Sequence, residues 1–296
     1  MREKTSNLIF DSIKNFILVF LLIITLYPFV NLMAISLNDA QDTAKGGITI
    51  FPRVFSLASY TTLFKLPELL TGFINSVLRT VIGAVTQVFS CSMIAYVLSR
   101  KSFPLRRPLS LLWIFTMYVS GGLIPYYFLM RSLGLLNNFN IYWIPGITSA
   151  FAIIVIRTYI SGLPESLIEA AKVEGAGEFR IFMQIVLPLA IPVLATMALF
   201  AAVDHWNAWV DTWLFNPKKK ELTTLQYELM KKLASSNSSK SGKLGAEARR
   251  GSGSGGTTPK SIRAAMTMIA AVPIMLVYPF LQRYFVTGLT LGGVKE

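Results

Sequence analysis

The chain has 296 residues, of which 53% are hydrophobic and only 15% charged, and its mean hydropathy is +0.54. A soluble domain carries about 25% charged residues, so an ordinary soluble globule is excluded. The formal net charge is +13, and the one cysteine, Cys91, excludes an internal disulfide or a metal or redox centre built on a thiol pair.

In chain order, six apolar runs reach the roughly 20 residues that cross hydrocarbon: 13–37, 72–98, 108–130, 139–160, 186–213 and 263–286. The first follows Met1-Arg2-Glu3-Lys4. It is too long for a signal peptide and lacks a small-residue cleavage site, so it is expected to remain as an anchor. Residues 38–71 then form an outer loop, with Phe51-Pro52, Ser59-Tyr60 and Leu66-Pro67 placing a short surface helix in it. After the fifth span, about 233–262 is rich in Ser, Gly and Lys and reads as a flexible extracytoplasmic insert. Its Gly251–Gly256 run lacks the Gly-Lys-Ser/Thr ending that holds phosphates. The expected fold is therefore an all-α membrane protein, a single domain of six transmembrane helices.

Charge sets the orientation. Twelve Lys/Arg lie in short segments on the side of the termini, including the compact turn Arg100, Lys101, Arg106 and Arg107, against five on the other side. The positive-inside rule then makes both termini cytoplasmic. Residues 218–263 oppose this with eleven Lys/Arg against three Glu. The rule weakens for longer loops and for charges far from helix ends, so the tight basic turn carries more weight.

That orientation puts 161–185 in the cytoplasm. The segment is a polar island whose charges lipid would not tolerate. Pro164 suits a helix start, Glu165 favours the positive end of the dipole, and Gly175 suits the left-handed position that ends a helix. Leu167, Ala170, Ala171 and Glu174 recur at helical spacing and are expected to share a face, with the two alanines admitting a close partner surface. An ordinary amphipathic connector on the lipid surface is the plainer reading of the same residues.

Here the sequence resembles a known family. Glu169-Ala170-Ala171-Lys172-Val173-Glu174-Gly175-Ala176, then Phe182 and Leu187-Pro188, is similar to the EAA loop of ABC importer permeases, with Glu174 where Asp is usual. The tail Gly288–Lys295 resembles that of one permease subunit of maltose-type carbohydrate importers, and Asn75-Ser76 fits. Ser120–Pro125 with Leu133–Asn137 resembles the branch for complex or uronic-acid oligosaccharides. The resemblance implies a type I ABC importer permease fold in the bacterial inner membrane. It implies two permeases paired above two ATP-binding subunits, and an extracytoplasmic solute-binding protein that delivers the sugar. Glu169, Ala170, Ala171, Glu174, Gly175 and Ala176 would form a coupling helix seated on an ATPase, and the Gly292, Gly293 and Lys295 tail a second contact. The chain would be no enzyme and hold no cofactor or metal. ATP and Mg would belong to the partners, and no nucleic acid is involved.

The expected substrate pathway lies at the outer end of the fifth span, where Asp204, His205, Trp206, Asn207 and Trp209 combine aromatic faces for sugar C–H surfaces with groups for hydroxyls. Asn75, Tyr118 and Tyr127 are further candidates. Interfacial Trp belts and helix packing by Asn and Tyr are the competing roles. The basic 218–263 loop would steer an acidic saccharide or meet anionic lipid. An ion-coupled secondary transporter is the alternative function; it calls for broken helices and paired acids near the midplane, and these spans are almost free of charge.

Overall fold

A computed structural model describes the backbone of residues 2–238 and 258–290. The expected Gly292, Gly293 and Lys295 contact, and most of the 233–262 insert, lie outside the described residues. Among these residues the chain is helical, apart from one bridge between Asn38 and Phe55. It divides into two compact units, 1–69 with 229–272, and 70–228 with 273–296.

The first unit contains α1 (Arg2–Ser36), α2 (Ala40–Lys45) and α3 (Ala58–Phe64), together with most of α13 (Leu225–Ser238) and the start of α14 (Pro259–Thr290). Residues 10–29 of α1 are exposed on every side, as an apolar helix facing lipid would be. α2 starts where the Asp39 carboxylate accepts from the amides of Gln41 and Asp42, at 2.9 and 3.2 Å, and stops at Gly46, whose φ is +78°. The Asn38 carbonyl oxygen accepts from the amides of Arg53 and Val54, and its amide donates to Asp42 and Thr43. Arg53 pairs with Asp42 at 2.9 Å. A loop that the sequence shows only as polar is thus closed by one asparagine. At the start of α14, Thr258 and Ser261 cap each other reciprocally, satisfying amides a helix start leaves bare.

The second unit contains the rest. α4 (Pro67–Ser99) is unbroken and, with the 27 residues of α1 from Phe10 and the stretch Pro259–Val277, is one of three helices among the described residues long and apolar enough to cross a membrane. Three bent pairs meet the same measure, and they depart from the expected straight spans. Residues 108–130 are not one helix: α5 (Arg106–Tyr118) and α6 (Leu123–Ser132) meet at 117°, because Val119 is extended and Gly122 adopts φ +83°. Residues 139–160 begin as one 3-10 turn, Phe139–Tyr142, and become α7 (Ala150–Ser161) only after Pro145-Gly146. α8 (Glu165–Val173) follows at 76°. The expected 186–213 span starts in α9 (Glu178–Ile181), a π-helical turn Phe182–Val186 and α10 (Leu187–Leu189), then bends by 80° into α11 (Ile191–Asn207). Pro192 lacks an amide and its ring crowds the carbonyl four residues back, which places the break at Ala190. α11 ends at Asn207, and α12 (Val210–Phe215) completes the segment. The core joins Cys91, Ala95, Tyr96 and Leu98 of α4, Ile153, Ile156 and Ile160 of α7, Phe182, Val186, and Val193 and Met197 of α11.

Candidate functional site

Two places in the second unit gather the residues singled out by sequence. The first is α8. Pro164 precedes it as N-cap, Glu165 opens its first turn and Lys172 stands in its last. Its end is a Schellman turn: the Gly175 amide donates to Lys172 O at 3.0 Å and the Ala176 amide to Ala171 O at 2.9 Å. Gly175 has φ +79° with nothing within 4 Å of an added Cβ, so glycine is required by backbone conformation and not by crowding.

The faces of α8 correct one expectation. Ile168 and Ala171 turn inward and are buried in the core with Ile156, Ile181 and Phe182, and Ala176 packs on the same cluster. Ala171 therefore does not share the outward face with Ala170. Ala171 and Ala176 stand at the two positions whose apolar contact commonly accompanies such a helix end. Leu167, Glu169, Ala170 and Glu174 are exposed as expected. Val173, which the sequence reading passed over, is 89% exposed. Its apolar spacing from Leu167 and Ala170, six and three residues on, was the available signal.

The second place is an open cavity of about 560 Å³ at the end of α11. Asp204, His205, Asn207 and Trp209 line it, together with Arg79, Gln87, Tyr126, Tyr142, Gly146 and Asp211. Of the expected pathway residues these first four come together; the others do not. Trp206 is buried edge-on against Phe73, ring centroids 6.0 Å apart. The Asn75 amide donates to the carbonyls of Glu221 and Thr223 at 2.7 and 2.8 Å, so both its N–H groups are spent holding a loop. Tyr127 stacks on Phe215 at 5.9 Å, while Tyr118 is 83% exposed and outside the cavity. His205 lies so close to α4 that a Cβ on Gly83 would come within 2.3 Å of its ring. The histidine is wedged in a glycine notch and shows the cavity only an edge.

The element sequence reasoning missed is Arg79. Counted among outer charges, it is in fact buried, forming a fork with both Asp211 oxygens and donating to Ala208 O at 3.2 Å. Its guanidinium also lies 4.5 Å over the Tyr142 ring. Burying Arg79 is tolerable because its two terminal nitrogens meet both oxygens of a half-buried carboxylate, although its Nε has no partner among the described residues. It fixes the 208–211 turn, which aims Asn207 and Trp209 at the cavity. Among the described residues no group of three or more His, Cys, Asp or Glu is set to hold a metal.

Residues 7–291 match the family model of the binding-protein-dependent transport system inner membrane component. The chain belongs to this family. It is 36% identical to the polygalacturonan/rhamnogalacturonan transport system permease protein YtcP of Bacillus subtilis, over 98% of this chain and 99% of that one. It is 29% identical, over the whole of both chains, to the arabinooligosaccharides transport system permease protein AraQ of Halalkalibacterium halodurans. A crystal structure of a bacterial ABC transporter involved in import of the acidic polysaccharide alginate superposes with a TM-score of 0.83. It is 28% identical and covers 95% of this chain and 98% of that one. The expected permease fold and membrane-transport role therefore hold, the family is one of transport subunits and not of enzymes, and nothing in these likenesses favours an ion-coupled carrier.

Proposed function

We propose that this permease imports an acidic oligosaccharide, of the uronide class, across the bacterial inner membrane, receiving it from an extracytoplasmic solute-binding protein. It works beside a second permease and above two ATP-binding subunits, which bind ATP and Mg. Both termini face the cytoplasm, as does α8. The observation that carries the reading is the likeness over nearly full length to a permease for polygalacturonan and to one involved in alginate import. The geometry supports it at both ends of the second unit. Asp204, Asn207 and Trp209 offer a sugar acceptors, donors and an aromatic face, and the Arg79 fork neutralises Asp211, which would otherwise repel a carboxylate. Exposed Lys218, Lys219 and Lys220 add a positive field that attracts acidic ligands or an acidic protein face.

Leu167, Ala170 and Val173 form an exposed apolar strip with Glu169 and Glu174 beside it, suited to a groove with basic walls. Charge at such an interface fixes register more than it adds affinity. ATP-driven closure of the two partners would carry α8 with it and alternate the access of the cavity. Uptake of a labelled oligogalacturonide into vesicles containing the assembled transporter and its binding protein tests the reading. ATP-dependent uptake that a tenfold excess of neutral arabinooligosaccharide leaves in place is expected. Equal competition by the neutral sugar overturns the acidic assignment, and uptake driven by an ion gradient without ATP overturns the import mechanism.

A further inference from the structure

Glu178 stands just beyond the end of the docking helix, and each of its carboxylate oxygens is engaged. Oε2 accepts from the phenol of Tyr96 at 2.5 Å, and Oε1 pairs with Lys172 Nζ at 2.6 Å. Tyr96 is 6% exposed, on α4, and the Arg100 guanidinium lies 4.6 Å over its ring. The phenol bond thus ties Glu178, joined to α8 by the Schellman turn, to the end of α4, and the Lys172 pair, 47% and 56% exposed, adds a weaker second link to the last turn of α8. At the first turn of α8, Lys101 pairs with Glu165 at 2.9 Å, with side chains 78% and 55% exposed; it has no buried partner such as Tyr96, and exposed pairs of this kind hold little.

The other end of α4 carries Arg79 and Asn75, which grip the cavity's turn and the 221–223 loop. From position 79 to 96 the helix rises roughly 25 Å without a break. Apolar packing of Ile168 and Ala171 against α7 and the π-helical turn allows small slides. The charge-assisted hydrogen bond from Tyr96, whose ring is buried, is directional and resists such a slide, because moving it separates a part-buried donor from its carboxylate.

We infer that the Tyr96–Glu178–Lys172 strap makes α8 and α4 move as one piece, so that Tyr96 and Glu178 are positioning residues for coupling although neither touches sugar or ATP. This rests on the reading of α8 as the ATPase docking helix. The test uses the complete transporter with a cysteine placed at Val210, on the exposed cavity wall, and labelling read as a mass shift on this chain; native Cys91 is buried. Wild type is expected to change its labelling rate when ATP and vanadate are added. Tyr96→Phe and Glu178→Gln are each expected to retain the ATP-binding subunits and basal ATP hydrolysis while the nucleotide-dependent change shrinks at least tenfold. Lys101→Met is expected to keep it. An unchanged response in both strap variants overturns the inference, as does loss of the ATP-binding subunits in both, since the strap would then only build the docking surface. A wild-type chain that retains no ATP-binding subunit removes the docking reading, and the strap with it.

Discussion

Arg79 and Asp211 show what a single pair of residues contributes here. The buried Arg79 charge depends on the half-buried Asp211, and removing one partner costs less than the roughly 3–5 kcal/mol of a fully buried pair. Arg79→Met and Asp211→Leu are therefore each expected to lower the thermal stability of the purified permease, by about 2 kcal/mol, and the two together to recover much of it. A double variant as unstable as the sum of the singles would show that the two side chains act independently. Gly175 acts through its backbone alone. A side chain in the left-handed region costs about 1–2 kcal/mol, with open space around it. Gly175→Ala is thus expected to loosen the turn by about 1 kcal/mol and Gly175→Asn by less, read as faster amide exchange at Ala176.

At the scale of the element, α8 separates into an inner face that holds it and an outer face that is free. Ile168→Ala is expected to destabilise the permease by about 2–4 kcal/mol through a cavity. Val173→Asp, on a residue that touches nothing inside the chain's core, is expected to leave stability within about 0.5 kcal/mol and to weaken retention of the ATP-binding subunits at least tenfold. Equal retention would remove the docking role of that face. In the loop after α1, the Asn38 hydrogen bond and then Arg53 hold the Asp42 carboxyl below its ordinary 3.8. A depressed carboxylate stabilises the fold above its unfolded value and stops doing so as pH falls through its folded one. Protease cutting within 38–56 is therefore expected to rise only below about pH 4 in the wild type, and to be high and independent of pH between 3 and 6 in Asp42→Asn.

The ends of α8 were legible because helix caps are local: Pro164, Glu165, Gly175 and Ala176 lie within a few residues of the bonds they make. The inward turn of Ala171 was not, since four positions at helical spacing define a stripe without saying which edge faces the core. Breaks in the spans were written in Gly121-Gly122, Pro145-Gly146 and Pro192, but unbroken hydropathy hides them. The roles of Asn75 and Arg79 were the least legible. Their partners lie 146 and 132 residues away, beyond any periodicity. The same distance explains why Asp204, Asn207 and Trp209, neighbours on one short stretch, were found while Gln87 and Tyr126 opposite them were not.

For the molecule as a whole, the family match makes this chain one part of a binding-protein-dependent transport system, and its two gathered sites lie toward opposite ends of α4. The orientation proposed for it predicts that a cysteine at Ser102 is shielded from an impermeant reagent in intact cells while one at Thr49 is labelled; the reverse pattern would invert the topology. What decides the proposed mechanism is whether ATP hydrolysed elsewhere moves sugar through this chain by way of α8. The direct measurement is ATP-dependent oligogalacturonide uptake by vesicles carrying the complete transporter, with wild-type permease and with Glu169→Lys. Uptake is expected with the first, and with the second normal membrane insertion and at least a tenfold loss of uptake. Undiminished uptake by Glu169→Lys would contradict that mechanism.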